Sequence, residues 1–187
     1  MTLTDILVPT YTNMLGALSA WLTKAETQRT DGAAEALLVA RLAPDMFPLA
    51  TQVRFACVQA QEGVFRLQGQ AFPAALTTLL NEGRHAAEQP GTLAQAQARI
   101  GETLEVVRTL AAAGSPVAEG TPLTHELPQG MVFDFSAEQY VRDWALPQFY
   151  FHLMTAYSIL RAQGVELGKA DYVAQVLPFL RKGGTAE

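Results

Sequence analysis

The sequence predicts a mainly α-helical protein: a four-helix bundle carrying a short extra helix, with a small β-hairpin before the last helix. Three observations lead there. Apolar residues recur at spacings of three and four through four long stretches, the stripe of an amphipathic helix. Two of those stretches open on the spacing of a capping box. One segment, about residues 121–135, changes to two short alternating runs around Pro128-Gln129-Gly130, the pattern of a hairpin. The 187 residues suffice for one domain with a substantial core, taken as residues 1–187.

Each element can be justified in order. Leu3, Leu7, Tyr11, Met14, Leu18, Leu22 and Ala25 form one stripe of a long first helix, and Pro9 sets a kink or a delayed start. "TQRTDG" breaks the pattern, and "AAEALLVARL" gives the short extra helix. In "LAPDMFPLATQVRFACVQAQEG", Asp45 has the place of an N-cap and Pro48 falls in the first turn. Met46, Leu49, Ala50, Val53, Ala56, Cys57 and Ala60 are its buried stripe. Gly63, Gly69 and Pro73 interrupt the helical pattern beyond it, so "FPAALTTLLNEGRH" is a lesser helix and "AAEQPG" a loop. Thr92 and Gln95 open the next long helix, with Leu93, Ala96, Ile100, Leu104, Val107 and Ala111 facing inward. Ser136 and Gln139 open the last, which runs to about Gln163 before Gly164.

Composition narrows the function. Hydrophobic residues make up 49% and charged residues 17%, which excludes disorder and implies a large buried fraction. A net charge of −5 without clustered Lys or Arg argues against nucleic acid as a partner. No apolar run reaches bilayer length, so no membrane association is expected. The N-terminus lacks the basic start of a secretory signal, and the single cysteine leaves no internal disulfide; a cytoplasmic setting is the expectation.

The stretches "RLAPDMFPLATQV", "LPQFYFHLMTAYSILRAQGVELGKADYV" and "LTDILVPTYTNMLGAL" resemble a bacterial and fungal family of unknown function, allied to the DinB/YfiT-like helical bundles. The likeness covers nearly the whole chain, with residues 64–91 matching least well. It implies a DinB-like four-helix bundle. The wider group includes bundles in which three histidines hold a metal at one end, some with thiol-dependent transferase or hydrolase chemistry. The narrower family brings no reaction with it. His152 matches its pattern, whereas Asp143 stands where a histidine is expected and Gln148 where an asparagine is.

His152 is the leading candidate residue. As a buried core histidine it would take Gln148 or Thr155, one turn away, as partner. As a functional group it would be a ligand or general base at the bundle end. Gln148, Asp45, Arg41 and Asp143 could line a polar pocket with it. Arg41 could equally close an ion pair with Asp45 or Asp143. A catalytic zinc needs about three protein ligands; His152 is the candidate metal residue, to be joined by Asp143, Asp45 and, if the hairpin folds over that end, His125. Cys57, on the apolar stripe, reads as core. "GVELGKADYV" is too poor in glycine for a phosphate cradle and reads as a turn that folds Tyr172 and Val173 back on the bundle.

Three functions stay open from the sequence. The favoured one is a small-molecule-binding bundle acting near His152, with no cofactor. The second is a divalent-metal (Zn or Ni) enzyme built on His152. The third is a dimeric interaction protein: Phe149, Tyr150 and Phe151 wrap most of the last helix, so one side must meet a second subunit, the hairpin or a ligand. A homodimer through this helix is expected on that ground.

Overall fold

The computed structural model describes residues 2–30, 32–114, 116–127 and 130–181. Helix α1 spans Leu3–Gln28 and starts on a capping box, with the Thr2 side chain on the Asp5 amide and the Asp5 carboxylate on the Thr2 amide. Pro9 lies inside α1 without ending it. All seven residues of the expected stripe are buried, joined by Leu15, Ala17 and Trp21. The short extra helix is a single 3-10 segment, Glu35–Val39.

Helix α2, Leu49–Leu67, begins later than its sequence suggests. Pro48, not Asp45, occupies the N-cap position, and no side chain caps the helix. The physical reason is Pro48 itself, which pushes the residue before it out of the helical region, so the chain cannot turn helical until it has passed. Asp45 is left in an exposed turn. The helix is buried on nearly every side, because α1, α3, α4 and α6 all pack against it.

Helix α3 runs Ala74–Arg84 and α4 runs Leu93–Ala112, the latter with the expected Thr92–Gln95 capping box. Strands β1 (Pro122–Glu126) and β2 (Val132–Ser136) pair antiparallel, with Pro122 opposite Ser136 and Glu126 opposite Val132. Of the expected turn, Pro128 and Gln129 lie outside the described residues, as do residues 182–187 of the expected domain.

The last long helix is built in three pieces. A short α5 (Ala137–Gln139) carries the expected Ser136–Gln139 capping box, then Tyr140–Ala145 is π-helical, then α6 runs Leu146–Ala162. Pro147 explains the wide turn: its ring would crowd the Asp143 carbonyl of a regular helix, and the Leu146 amide reaches back five residues to the Val141 carbonyl instead. Gly164, at φ +82°, closes α6 with a conformation that a side chain would strain. The short helix α7 (Lys169–Tyr172) returns to the bundle, where Tyr172 stacks on Trp21 and Asp171 pairs with Lys24, and a 3-10 segment, Ala174–Phe179, follows it.

Candidate functional site

His152 is 9% exposed on α6, set edge-on between Phe55 and Phe151 with ring centroids 5.2 and 5.3 Å away. Its Nδ1 lies 2.9 Å from Oε1 of Gln52 on α2. An amide oxygen only accepts, so Nδ1 carries the proton. Burial pushes the imidazole down to about 4, which keeps it neutral near pH 7. The expected local partners do not serve. Thr155 gives its hydroxyl to the Phe151 carbonyl at 2.6 Å, the bond a helical threonine finds one turn back, and Gln52 across the bundle takes the role expected of Gln148.

Arg41 and Asp143, two of the other candidates, have partners of their own. Arg41 donates to the Pro44 carbonyl at 3.3 Å, closing its own turn, and pairs with neither Asp45 nor Asp143. Asp143 is exposed and accepts two bonds from Arg142, at 2.8 Å each, which hold its carboxyl below the usual range. Among the described residues, no group of three or more His, Cys, Asp or Glu side chains is placed to hold a metal ion. The residues at His152 therefore do not fit a three-ligand centre: its buried neighbour is the amide of Gln52, a weak donor for zinc beside thiolate, imidazole or carboxylate.

A second polar group, missed by the sequence reading, lies beneath the hairpin. Arg66, near the C-terminal end of α2, donates from Nη1 to the Thr124 carbonyl at 2.9 Å and from Nη2 to Nδ1 of His125 at 3.1 Å. His125, 5% exposed on β1, packs on Trp144 with centroids 4.5 Å apart and on Tyr140 at 5.9 Å. The Arg66 guanidinium stands 5.8 Å from the Tyr140 ring. Tyr140 and Tyr11 are fully buried, and burial holds both phenols protonated. Glu62, one turn before Arg66, interacts with both phenols; burial pushes its carboxyl up to about 7 against the pull of Arg66 and Arg84. In this buried group Tyr11 Oη, His125 Nε2 and Trp144 Nε1 have no hydrogen-bond partner among the described residues, while the Tyr140 phenol lies within reach of the Arg66 guanidinium.

Local sequence explains the placement. The π-helical segment carries Tyr140 and Trp144 together under the strands, and such wide turns occur often at functional sites. Gly63 lets α1 approach: a β-carbon there would stand 2.5 Å from the Tyr11 hydroxyl. Gln52 and Arg66 are fourteen residues apart on α2, roughly 21 Å along its axis, so the polar group under the hairpin and His152 lie near opposite ends of that helix. The hairpin covers the Arg66 end and brings His125 there, not to His152. The signals available in the sequence were the Glu62–Arg66 and Tyr140–Trp144 pairs, each spaced to share a helix face.

A further opening of about 940 Å³ lies between α3 and α4, lined by Arg54, Asn81, Glu82, His85, Gln95 and Arg99 among others. Its charges are matched from within. Glu82 accepts from Arg99 at 2.5 and 2.9 Å, and Arg54 donates to the Ala50 and Pro90 carbonyls at 3.0 and 2.9 Å. We read it as a braced cleft between helices. Cys57 is fully buried, and burial lifts its thiol to about 12, consistent with a core residue and not a nucleophile.

The bundle, its inserted hairpin and the long last helix define a DinB-like helical fold. A crystal structure of a DinB family member protein from Shewanella denitrificans superposes with a TM-score of 0.70 at 30% identity, covering 99% of this chain and 96% of that one. The profile described as Domain of unknown function (DUF1993) matches residues 3–173, and the chain belongs to that family. Comparison with curated proteins finds no match. No specific reaction is assigned by these relationships. No described helix is long and apolar enough to cross a membrane.

Proposed function

We propose that this protein is a small-molecule-binding bundle whose ligand meets the polar group beneath the hairpin, formed by Arg66, His125, Tyr140 and Trp144. One observation carries the reading: polar atoms of this group, His125 Nε2 and Trp144 Nε1, are buried without hydrogen-bond partners. An unmet buried donor costs about 1–3 kcal/mol. A surface built this way favours an outside group that meets them. His152 is set aside as the site because Gln52 already answers its Nδ1.

The reading is tested by a thermal-shift screen of small carboxylates, amines, sugars and nucleosides against the wild type and Tyr140→Phe. The expected outcome is at least one compound that stabilises the wild type and loses most of its effect in the variant. Stabilisers that act equally on both proteins, or none at all, would sink it.

A second reading, a homodimer through the last helix, has its own support. Phe151 is 58% exposed and Met154 36% exposed on the outward side of α6, one turn apart, and Phe47 nearby in the aromatic chain through Phe55 and His152 is 50% exposed. Large apolar side chains in such a group are costly to leave in water.

A further inference from the structure

We infer that the cleft between α3 and α4 binds a small neutral solute rich in hydroxyl groups, a monosaccharide or polyol. It is a second site, apart from the polar group beneath the hairpin: Arg54, which lines it, precedes Arg66 by twelve residues, roughly 18 Å along α2. The opening of about 940 Å³ has the size of a small-molecule site, about 300–1,000 Å³. Its floor is a buried cation. Arg54 is 4% exposed and is held by the Ala50 and Pro90 carbonyls at 3.0 and 2.9 Å. Its Nε is buried and stands 3.9 Å from the Glu82 carboxylate, beyond hydrogen-bond length. Gly91, at φ +72°, keeps the rim clear, since a β-carbon there would collide with Gln95 Oε1 and crowd Arg54 Nη2.

The charges of the lining cancel, Arg54 and Arg99 against Glu82 and Glu102. Arg99 grips Glu82 at 2.5 and 2.9 Å and gives a third bond to Glu102 at 2.7 Å. An anion would have to compete with these carboxylates for the guanidinium, and an ammonium group with the guanidinium for the carboxylates. A neutral ligand leaves the pairs in place. What the cleft still offers is mixed in kind. Gln95 spends its amide oxygen on the Thr92 amide at 2.9 Å, which keeps its NH2 group as a donor. The carboxylate oxygens of Glu82 and Glu102 accept more than one bond each, and the amides of Asn81 and Gln89 carry both kinds of group. A hydroxyl both donates and accepts, so a compact set of hydroxyls answers such a lining. Among the described lining residues Ala98 is the only apolar side chain, so a hydrocarbon ligand has little surface to bury against.

The test is a titration of the intact, isotope-labelled protein followed by amide NMR. Glucose, mannose, myo-inositol and glycerol are the neutral probes, with gluconate and glycine as charged comparisons. The expected result is saturable shifts with at least one neutral probe, concentrated in α3, residues 85–95 and the first turns of α4. Ala98→Trp puts an indole into the cleft from an exposed helix position and should weaken that binding by roughly tenfold or more. Gluconate and glycine should bind roughly tenfold less well than the best neutral probe. Glu102→Gln leaves the lining with an excess positive charge and should narrow that gap for gluconate.

Circular dichroism before titration separates misfolding from lost binding. Gln89→Ala, at an exposed position, serves if Ala98→Trp does not fold, and should weaken binding severalfold. No saturation by any neutral probe at tens of millimolar would overturn the inference, as would shifts that both substitutions leave unchanged. Gluconate or glycine binding as tightly as the neutral probes would overturn it too, because the cleft would then be a site for charged ligands. Tyr140→Phe should leave binding in the cleft intact. A probe whose binding is lost in Tyr140→Phe belongs to the polar group beneath the hairpin, and counts for the function proposed above and against this inference.

Discussion

Glu62 is the acid whose ionisation the fold alters most clearly. Its carboxyl sits at about 7 in the fold against 4.5 for an ordinary glutamate, because burial penalises the charged form more than Arg66 and Arg84 favour it. Proton counting gives the sign of the consequence. Between 4.5 and 7 the folded protein holds a proton that the unfolded chain has released, so this group destabilises the fold as pH rises through that window. His125 and His152 work in the opposite sense, since burial pushes both down to about 4 and the unfolded chain takes up protons that the fold refuses as pH falls below 6.5. Glu62→Gln removes only the first effect. Urea unfolding should show the variant more stable than the wild type at pH 8, with the advantage gone by pH 5. An equal difference at both values would mean that Glu62 does not ionise as described.

At the scale of elements, the hairpin packs on Tyr140 and Trp144 through His125, Phe133 and Phe135, and Arg66 ties it by hydrogen bonds to the Thr124 carbonyl and the His125 ring. Arg66→Ala removes both bonds and leaves the backbone bonds at its base, Ala137 to Thr121 and Glu138 to Glu119, in place. Hydrogen exchange in β1 and β2 should then quicken by about tenfold or more, for bonds worth about 1.5–3 kcal/mol together, while the centres of α1, α2 and α4 stay protected. Exchange that rises throughout would mean that Arg66 supports the core and not a separable cover. Elements were legible from the chain where their determinants are local. The capping boxes at Thr92–Gln95 and Ser136–Gln139 and the α1 stripe form as read, because the partners lie within one or two turns. Asp45 failed as a cap because Pro48, three residues on, has the stronger backbone constraint. His152 found its partner a hundred residues away in Gln52, which no local spacing encodes. The polar group under the hairpin draws on α2, β1 and the π-helical turn, so its residues were visible singly and their meeting was not.

For the molecule as a whole, the open question of assembly is set by the outer side of α6. The inner side of that helix is spent on the core through Phe149, Leu153, Ala156 and Leu160, all fully buried. Phe151 and Met154 face the other way and are among the exposed apolar side chains that the fold itself does not cover. Burying an exposed aromatic against a second copy gains about 25 cal/mol per Å² of apolar surface, so a two-fold contact that repeats the same side chains on both subunits gains each of them twice. Light scattering after size exclusion should give twice the protomer mass for the wild type, falling to the protomer mass in Phe151→Asp, with the helical circular dichroism of the two alike. The charge at residue 151 lies outside the core, so an unfolded variant is not the expected cause of dissociation. A wild type that runs as a monomer at hundreds of micromolar would remove the dimer reading and leave Phe151 as an isolated exposed ring.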